Sequence, residues 1–185
     1  SFDNTNYPSA GALFKAEYAL YTDDFSQYRD DAPVSAFSSS LYVAIPVSNR
    51  WTLVPALYGR FLYGKEFGFP LQNFVGGTIA GHYLDHQLPF YGFRPTEVVD
   101  NKFIATAFEA RYRLFNNHYL WVKGNVARIS RSTLELIEWD KGMYMLGAAA
   151  GYSYDSPLGP IDVLVEYGLH PGAKFGVYIN LGKYF

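Results

Sequence analysis

Apolar and polar positions alternate with a period of two along most of this chain. From Ala10 to Tyr21, residues Ala12, Phe14, Ala16, Tyr18 and Leu20 share one face, and Leu13, Lys15, Glu17 and Ala19 share the other. Successive side chains on a strand point to opposite sides, so such a stretch predicts a two-faced strand. The pattern recurs over Ser35–Val47, Trp51–Tyr63, Lys102–Leu114, His118–Ile129, a stretch from about Met143 to Tyr152, Ile161–Leu169 and Phe175–Phe185. Eight strands are therefore expected. Pro55 lies inside the third and predicts a bulge or irregularity there.

The connections between these strands also alternate. Residues 48–50, 115–117 and 155–160 make short turns. Residues 22–34, 64–100 and 130–142 make long polar connections, and 170–174 is intermediate. Outer-membrane β-barrels carry short turns at one rim and long loops at the other, and some of the long loops fold back into the lumen. The stretch 64–100 is the longest, rich in glycine and proline, and holds two of the four histidines, His82 and His86.

One face of every strand is apolar. The opposite face gathers Lys15, Glu17, Arg60, Glu109, Arg111, Arg113, Lys123, Asp162 and Glu166. Tyrosines and phenylalanines concentrate near the strand ends of the apolar face, as in interfacial belts. The charged face mixes both signs, so Glu109 and Glu166 are expected to pair with Arg111 and Arg113 across a lumen. These features predict an all-β, antiparallel transmembrane barrel with residues 1–185 as one unit. Eight strands suffice to close a small barrel or to make half of a sixteen-strand one. A soluble β-barrel that binds a ligand is the alternative from another class.

Composition narrows this further. The 185 residues hold 49% hydrophobic and 19% aromatic side chains, yet mean hydropathy is only -0.07. Apolar residues are abundant but interleaved, and no run approaches the ~20 apolar residues of a membrane helix. A formal net charge of -2 gives no basic footprint for nucleic acid. Cysteine is absent, which excludes a disulfide framework and a thiolate metal site.

The block D-S-P-L-G-P-I (155–161), followed by a strand and the ending F-G-V-Y-I-N-L-G-K-Y-F (175–185), resembles the last two strands of the bacterial surface-antigen barrel superfamily. That group includes outer-membrane assembly factors, two-partner secretion transporters and patatin-like phospholipases. Y-P-S-A-G (7–11) is similar to the start of a strand in the middle of such a barrel. Q-L-P-F-Y-G-F (87–93) and F-E-A-R-Y-R-L-F-N-N-H-Y-L (108–120) resemble the barrel of patatin-like phospholipases most closely. The resemblance implies the bacterial outer membrane, contacts with lipid and with the barrel assembly machinery, and a barrel that anchors or exports a lipase domain. It also implies that this chain is the C-terminal half of a sixteen-strand barrel, completed by an N-terminal half or by a second copy. The terminal strand then carries the assembly signal in Val177, Ile179, Leu181 and Phe185, with Lys183 close enough to the interface to snorkel. The superfamily's lumenal loop commonly carries Arg-Gly-aromatic. Here the nearest match is Gly92-Phe93-Arg94, which makes Arg94 the candidate for docking into the barrel wall.

No catalytic or cofactor-binding set is expected. A patatin-like lipase needs Gly-x-Ser-x-Gly and an Asp-Gly pair, and neither is present; Ser132 and Ser156 fall in turns without the flanking glycines. His82, Asp85, His86 and Glu97 form a loose group, but no helical pattern brings the two histidines onto one face, so no metal site is assigned. Glu109, Arg111, Arg113, Asp162 and Glu166 remain as lumenal charges with a structural or gating role.

Overall fold

Eight strands of the computed structural model form one antiparallel sheet, and three short ones form a second. The structure describes residues 1–22, 33–64, 68–78, 86–138, 140–172 and 174–182. In chain order the strands are β1 (Gly11–Tyr21), β2 (Val34–Pro46), β3 (Trp51–Tyr63), β4 (Asn73–Val75), β5 (Gln87–Leu88), β6 (Val98–Asp100), β7 (Lys102–Phe115), β8 (His118–Ser130), β9 (Met143–Ser156), β10 (Gly159–His170) and β11 (Lys174–Leu181). The large sheet runs β1-β2-β3-β7-β8-β9-β10-β11, and the small one β5-β4-β6. Each expected strand is found within a few residues of its expected limits.

Pro55 produces no bulge. The β2–β3 register is the same on both sides of it, with Tyr42 opposite Ala56 and Ile45 opposite Leu53. Proline lacks the N–H that the ladder would use, so the two positions between those pairs are simply unbridged. The register shifts instead between Arg113 and Phe115 on β7 and between Gly168 and His170 on β10.

Among the described residues β1 pairs only with β2, and β11 only with β10. The sheet is therefore open, as part of a larger barrel is, rather than closed on itself with eight strands. Phe185 and Lys183 lie outside the described residues, as do His82 and Asp85.

The two faces separate as the alternation demands. On the convex face Phe14, Leu41, Leu57, Phe108, Val122, Val163, Val165, Val177, Ile179 and Leu181 are exposed. Further aromatic residues mark both edges of this apolar zone. Trp51 and Phe115 stand near the short-turn rim, where Trp51 packs on Tyr112 with ring centroids 5.0 Å apart. Tyr18, Tyr63, Tyr167 and Phe175 stand towards the long-connection rim, all exposed. An exposed apolar band bounded by two aromatic belts is what a lipid-facing wall requires. No described helix is long and apolar enough to cross a membrane, so any crossing is made by strands.

The concave face is filled from both ends. The connection after β3 folds inward as the small sheet and places Val75, Phe90 and Phe93 against Tyr58, Phe103, Ala105, Ala127, Ile129 and Met145. Phe90 and Phe93 are almost fully buried. Removing such rings from water contributes roughly 1.5–3 kcal/mol each, which is why a segment without strand periodicity still has a fixed place. The third long connection holds a five-residue helix, α1 (Thr133–Ile137), whose N-cap Ser132 accepts from the Leu134 N–H.

Candidate functional site

The lumenal site lies on the concave face between two inserted segments. At the long-connection end is the loop tip, Pro89–Phe93. At the short-turn end is the N-terminal segment, residues 2–10, which precedes β1 at one edge of the sheet yet reaches β9 and β10 near the other. A cavity of about 650 Å³ between them is lined by Tyr42, Tyr58, Tyr91, Trp121, Glu109, Arg111, Lys123 and Asp162, among others.

The N-terminal segment is held by a run of polar contacts. Asn6 donates to an Asp155 carboxylate oxygen at 2.7 Å, and the Tyr7 hydroxyl donates to Asp162 at 2.8 Å. The Tyr7 ring stacks on Tyr119 with centroids 4.9 Å apart. Asp162 also accepts from the Ser153 hydroxyl, which in turn accepts from the Trp121 indole at 2.8 Å. Burial pushes the Tyr7 phenol above its usual range, and the neighbouring Asp162 carboxylate adds to the effect. Within the segment, the Ser9 hydroxyl and then the Ala10 N–H hold the Asp3 carboxyl down at about 2, so this tie keeps its charge at any physiological pH.

The loop tip lies directly on the sheet. A Cβ built on Gly147 would sit 1.9 Å from the Tyr91 carbonyl oxygen, and one on Gly168 would sit 2.3 Å from that of Gly92. Gly147 and Gly168 are register partners on β9 and β10, so together they make a flat landing site for the loop backbone. Gly92 takes φ +87, a conformation that favours glycine. Asn125 clamps the contact: in the amide orientation that satisfies both of its groups, its oxygen accepts from the Tyr91 N–H at 2.9 Å and its nitrogen donates to the Gly147 carbonyl at 2.7 Å. The Tyr58 hydroxyl donates to the Pro89 carbonyl at 2.6 Å. Arg60 anchors the beginning of the same connection through the Leu71 carbonyl at 2.8 Å and the Asn73 side chain at 2.7 Å.

The predicted lumenal charges come together only in part. Glu109 pairs with Arg111 at 2.5 Å and with Lys123 at 2.8 Å. Arg113 does not join them; it donates to the Asn49 carbonyl at 2.6 Å, at the exposed short-turn rim. Nor does Glu166 pair with an arginine. It accepts from the Gly92 N–H and from Tyr178, and one of its oxygens has no hydrogen-bond partner. Register explains both corrections. Glu109, Lys123, Ala149 and Glu166 are successive partners across four strands, so Ala149 separates Glu166 from Lys123 by two strand spacings, roughly 10 Å, and Lys174 on β11 is taken up by Glu97. Arg113 lies four residues along β7 from Glu109, roughly 13 Å.

Glu166→Gln should therefore leave stability at neutral pH unchanged or raise it by up to about 2 kcal/mol. The amide oxygen still accepts from Gly92, and a buried charge without a counter-ion among the described residues is removed. A denaturant midpoint that falls on this substitution would overturn the expectation.

Arg94 is exposed. The docking expected of it is carried by Phe90, Tyr91, Gly92 and Phe93, because apolar rings and a bare backbone fit a wall floored by glycine better than a guanidinium does. Of the loose acidic and histidine group, Glu97 is engaged by Lys174 and by the Arg94 N–H. No group of three or more metal-ligating side chains exists among the described residues. Val177, Ile179 and Leu181 project from β11 on the convex face, as expected. Sequence reasoning left out Tyr7, Lys123, Asn125, Gly147 and Gly168 as site residues. Lys123 had a legible signal, since a turn of residues 115–117 puts Leu114 opposite His118 and so sets Lys123 opposite Glu109, the pairing that the β7–β8 ladder shows beyond its register shift.

A family model described as the OMP85 superfamily matches residues 1–185. No curated protein matches the chain.

Proposed function

The chain belongs to the OMP85 superfamily of outer-membrane barrels, and from that premise we propose that its sheet anchors or exports an attached patatin-like phospholipase domain in the bacterial outer membrane. The observation that carries the finer reading is the pair of stretches 87–93 and 108–120, which resemble the barrels of such enzymes. The first is the lumenal loop tip, and the second supplies Glu109, Arg111 and the turn into β8. Lipid cannot satisfy backbone N–H and C=O groups, so the outer edges of β1 and β11 require strand partners in a bilayer. The remaining strands of a sixteen-strand barrel, or a second copy of this chain, fill that role. Insertion would rely on the barrel assembly machinery and on the apolar face of β11.

The chain itself is proposed to be non-catalytic. The Ser132 hydroxyl caps α1, and the Ser156 hydroxyl donates to the Gly159 carbonyl at 2.6 Å, so both serve turns rather than a nucleophile's geometry.

Expressed from its natural reading frame, the protein should fractionate with outer membranes. It should migrate faster on a detergent gel unheated than boiled, and carry phospholipase activity in that fraction. A heat-modifiable barrel without phospholipase activity would favour a transporter or assembly factor instead. A monomer soluble without detergent would overturn the membrane reading as a whole.

A further inference from the structure

We propose that Glu109 is the shared anchor of both inserted segments, so that neutralising this one carboxylate releases the lumen at both ends. The Glu109 side chain is almost fully buried, and two cations extend from it. One arm is Arg111. It pairs with Glu109, donates through Nη1 to the Pro8 carbonyl at 3.0 Å, and lies over the Tyr7 ring at 5.5 Å. The other arm is Lys123. It pairs with the second oxygen of Glu109, reaches the Tyr91 hydroxyl at 3.3 Å, and lies over the Tyr91 ring at 4.6 Å. The N-terminal segment and the loop tip enter from opposite rims, and Glu109 joins them by charge; a neutral route runs beside it, from Tyr91 packed on Trp121 through Ser153 to the Asp162 that holds Tyr7.

Each cation thus has two duties, and Glu109 is what holds both in place. Without its charge, Arg111 and Lys123 become two largely buried like charges on neighbouring strands. Removing one partner of a buried pair is strongly unfavourable because the other charge is left uncompensated. The relief open to them is to swing into the 650 Å³ cavity, and each then lets go of its segment. Removing a single arm has a narrower effect, because the other arm keeps a one-to-one pair with Glu109.

The test uses spin labels on double-cysteine variants of the full-length protein in lipid nanodiscs; this chain contributes no cysteine of its own. Labels at Thr5 and Leu158 report on the N-terminal segment, and labels at Arg94 and Leu158 on the loop. All three positions are exposed, and Leu158 sits on the β9–β10 turn. Both distance distributions should be narrow in the parent. Glu109→Gln should broaden both at least twofold. Arg111→Met should broaden only the Thr5–Leu158 distance, and Lys123→Met only the Arg94–Leu158 distance. The proposal is overturned if Glu109→Gln leaves either distribution narrow, or if the two single-arm variants do not divide in this way. Should Glu109→Gln fail to fold, the single-arm variants decide alone. None of these outcomes depends on an attached lipase.

Discussion

Val122→Arg is expected to destabilise the barrel in a bilayer by about 2–4 kcal/mol, the cost of a cation on the lipid face near mid-membrane. Val122 lies near the middle of β8, its side chain is 57% exposed, and its neighbours on β7 and β9 are Ala110 and Ala150. Neither alanine can shield an arginine there or offer it a counter-ion. The same substitution on a solvated surface would be nearly neutral, because arginine is at home in water. Denaturant unfolding from lipid vesicles measures the difference, with Asp140→Arg in a long connection as the control expected to change little. A neutral Val122→Arg would mean that the convex face meets water, and the lumen assignment would have to be inverted.

Gly147→Val should expel the loop tip. Its Cβ would occupy the place of the Tyr91 carbonyl oxygen and would press on the Asn125 amide at 2.8 Å. Neither can yield cheaply, since one is backbone and the other is the clamp that holds that backbone. Overpacking of this kind costs about 1–3 kcal/mol, and loss of the Asn125 bonds adds to it. Chymotrypsin should then cut at Phe90–Phe93, which the folded lumen otherwise shields. Gly124 supplies the comparison. It also lies inside a strand, but a Cβ there meets nothing within 4 Å. Gly124→Val should therefore be tolerated and should leave the loop protected. If both variants behave alike, the loop does not rest on the sheet at Gly147.

These two glycines show where sequence is informative and where it stops. Strand identity is local: a period of two is visible in any eleven residues, so Phe14 and Val122 could be set on the apolar face without knowing their neighbours. Gly124 and Gly147 also sit on known faces, outward and inward. What lies against them is not local, because the loop that meets Gly147 is more than fifty residues away in sequence. The same limit explains Arg94. A resemblance pointed to the arginine of a short motif, whereas the fit is decided by the shape of the wall opposite, and two phenylalanines and a glycine match it better. Glu166 and Arg113 failed as partners for a related reason. Alternation gives the face of a residue but not its height on the barrel, and height needs register.

The pairing of Asn73 with Asp100 and of Val75 with Val98 in the small sheet also bears on how the chain finds its fold. Every neighbouring pair in the large sheet is a hairpin of adjacent strands except β3 with β7, which must bring Phe61 beside Lys102. Closing so long a loop is the main entropic obstacle in an otherwise zipper-like sheet. The small sheet draws the two ends of that loop together and so shortens the span that has to close. The element that packs on the concave face in the folded sheet is thus also the clasp that lets its two halves meet.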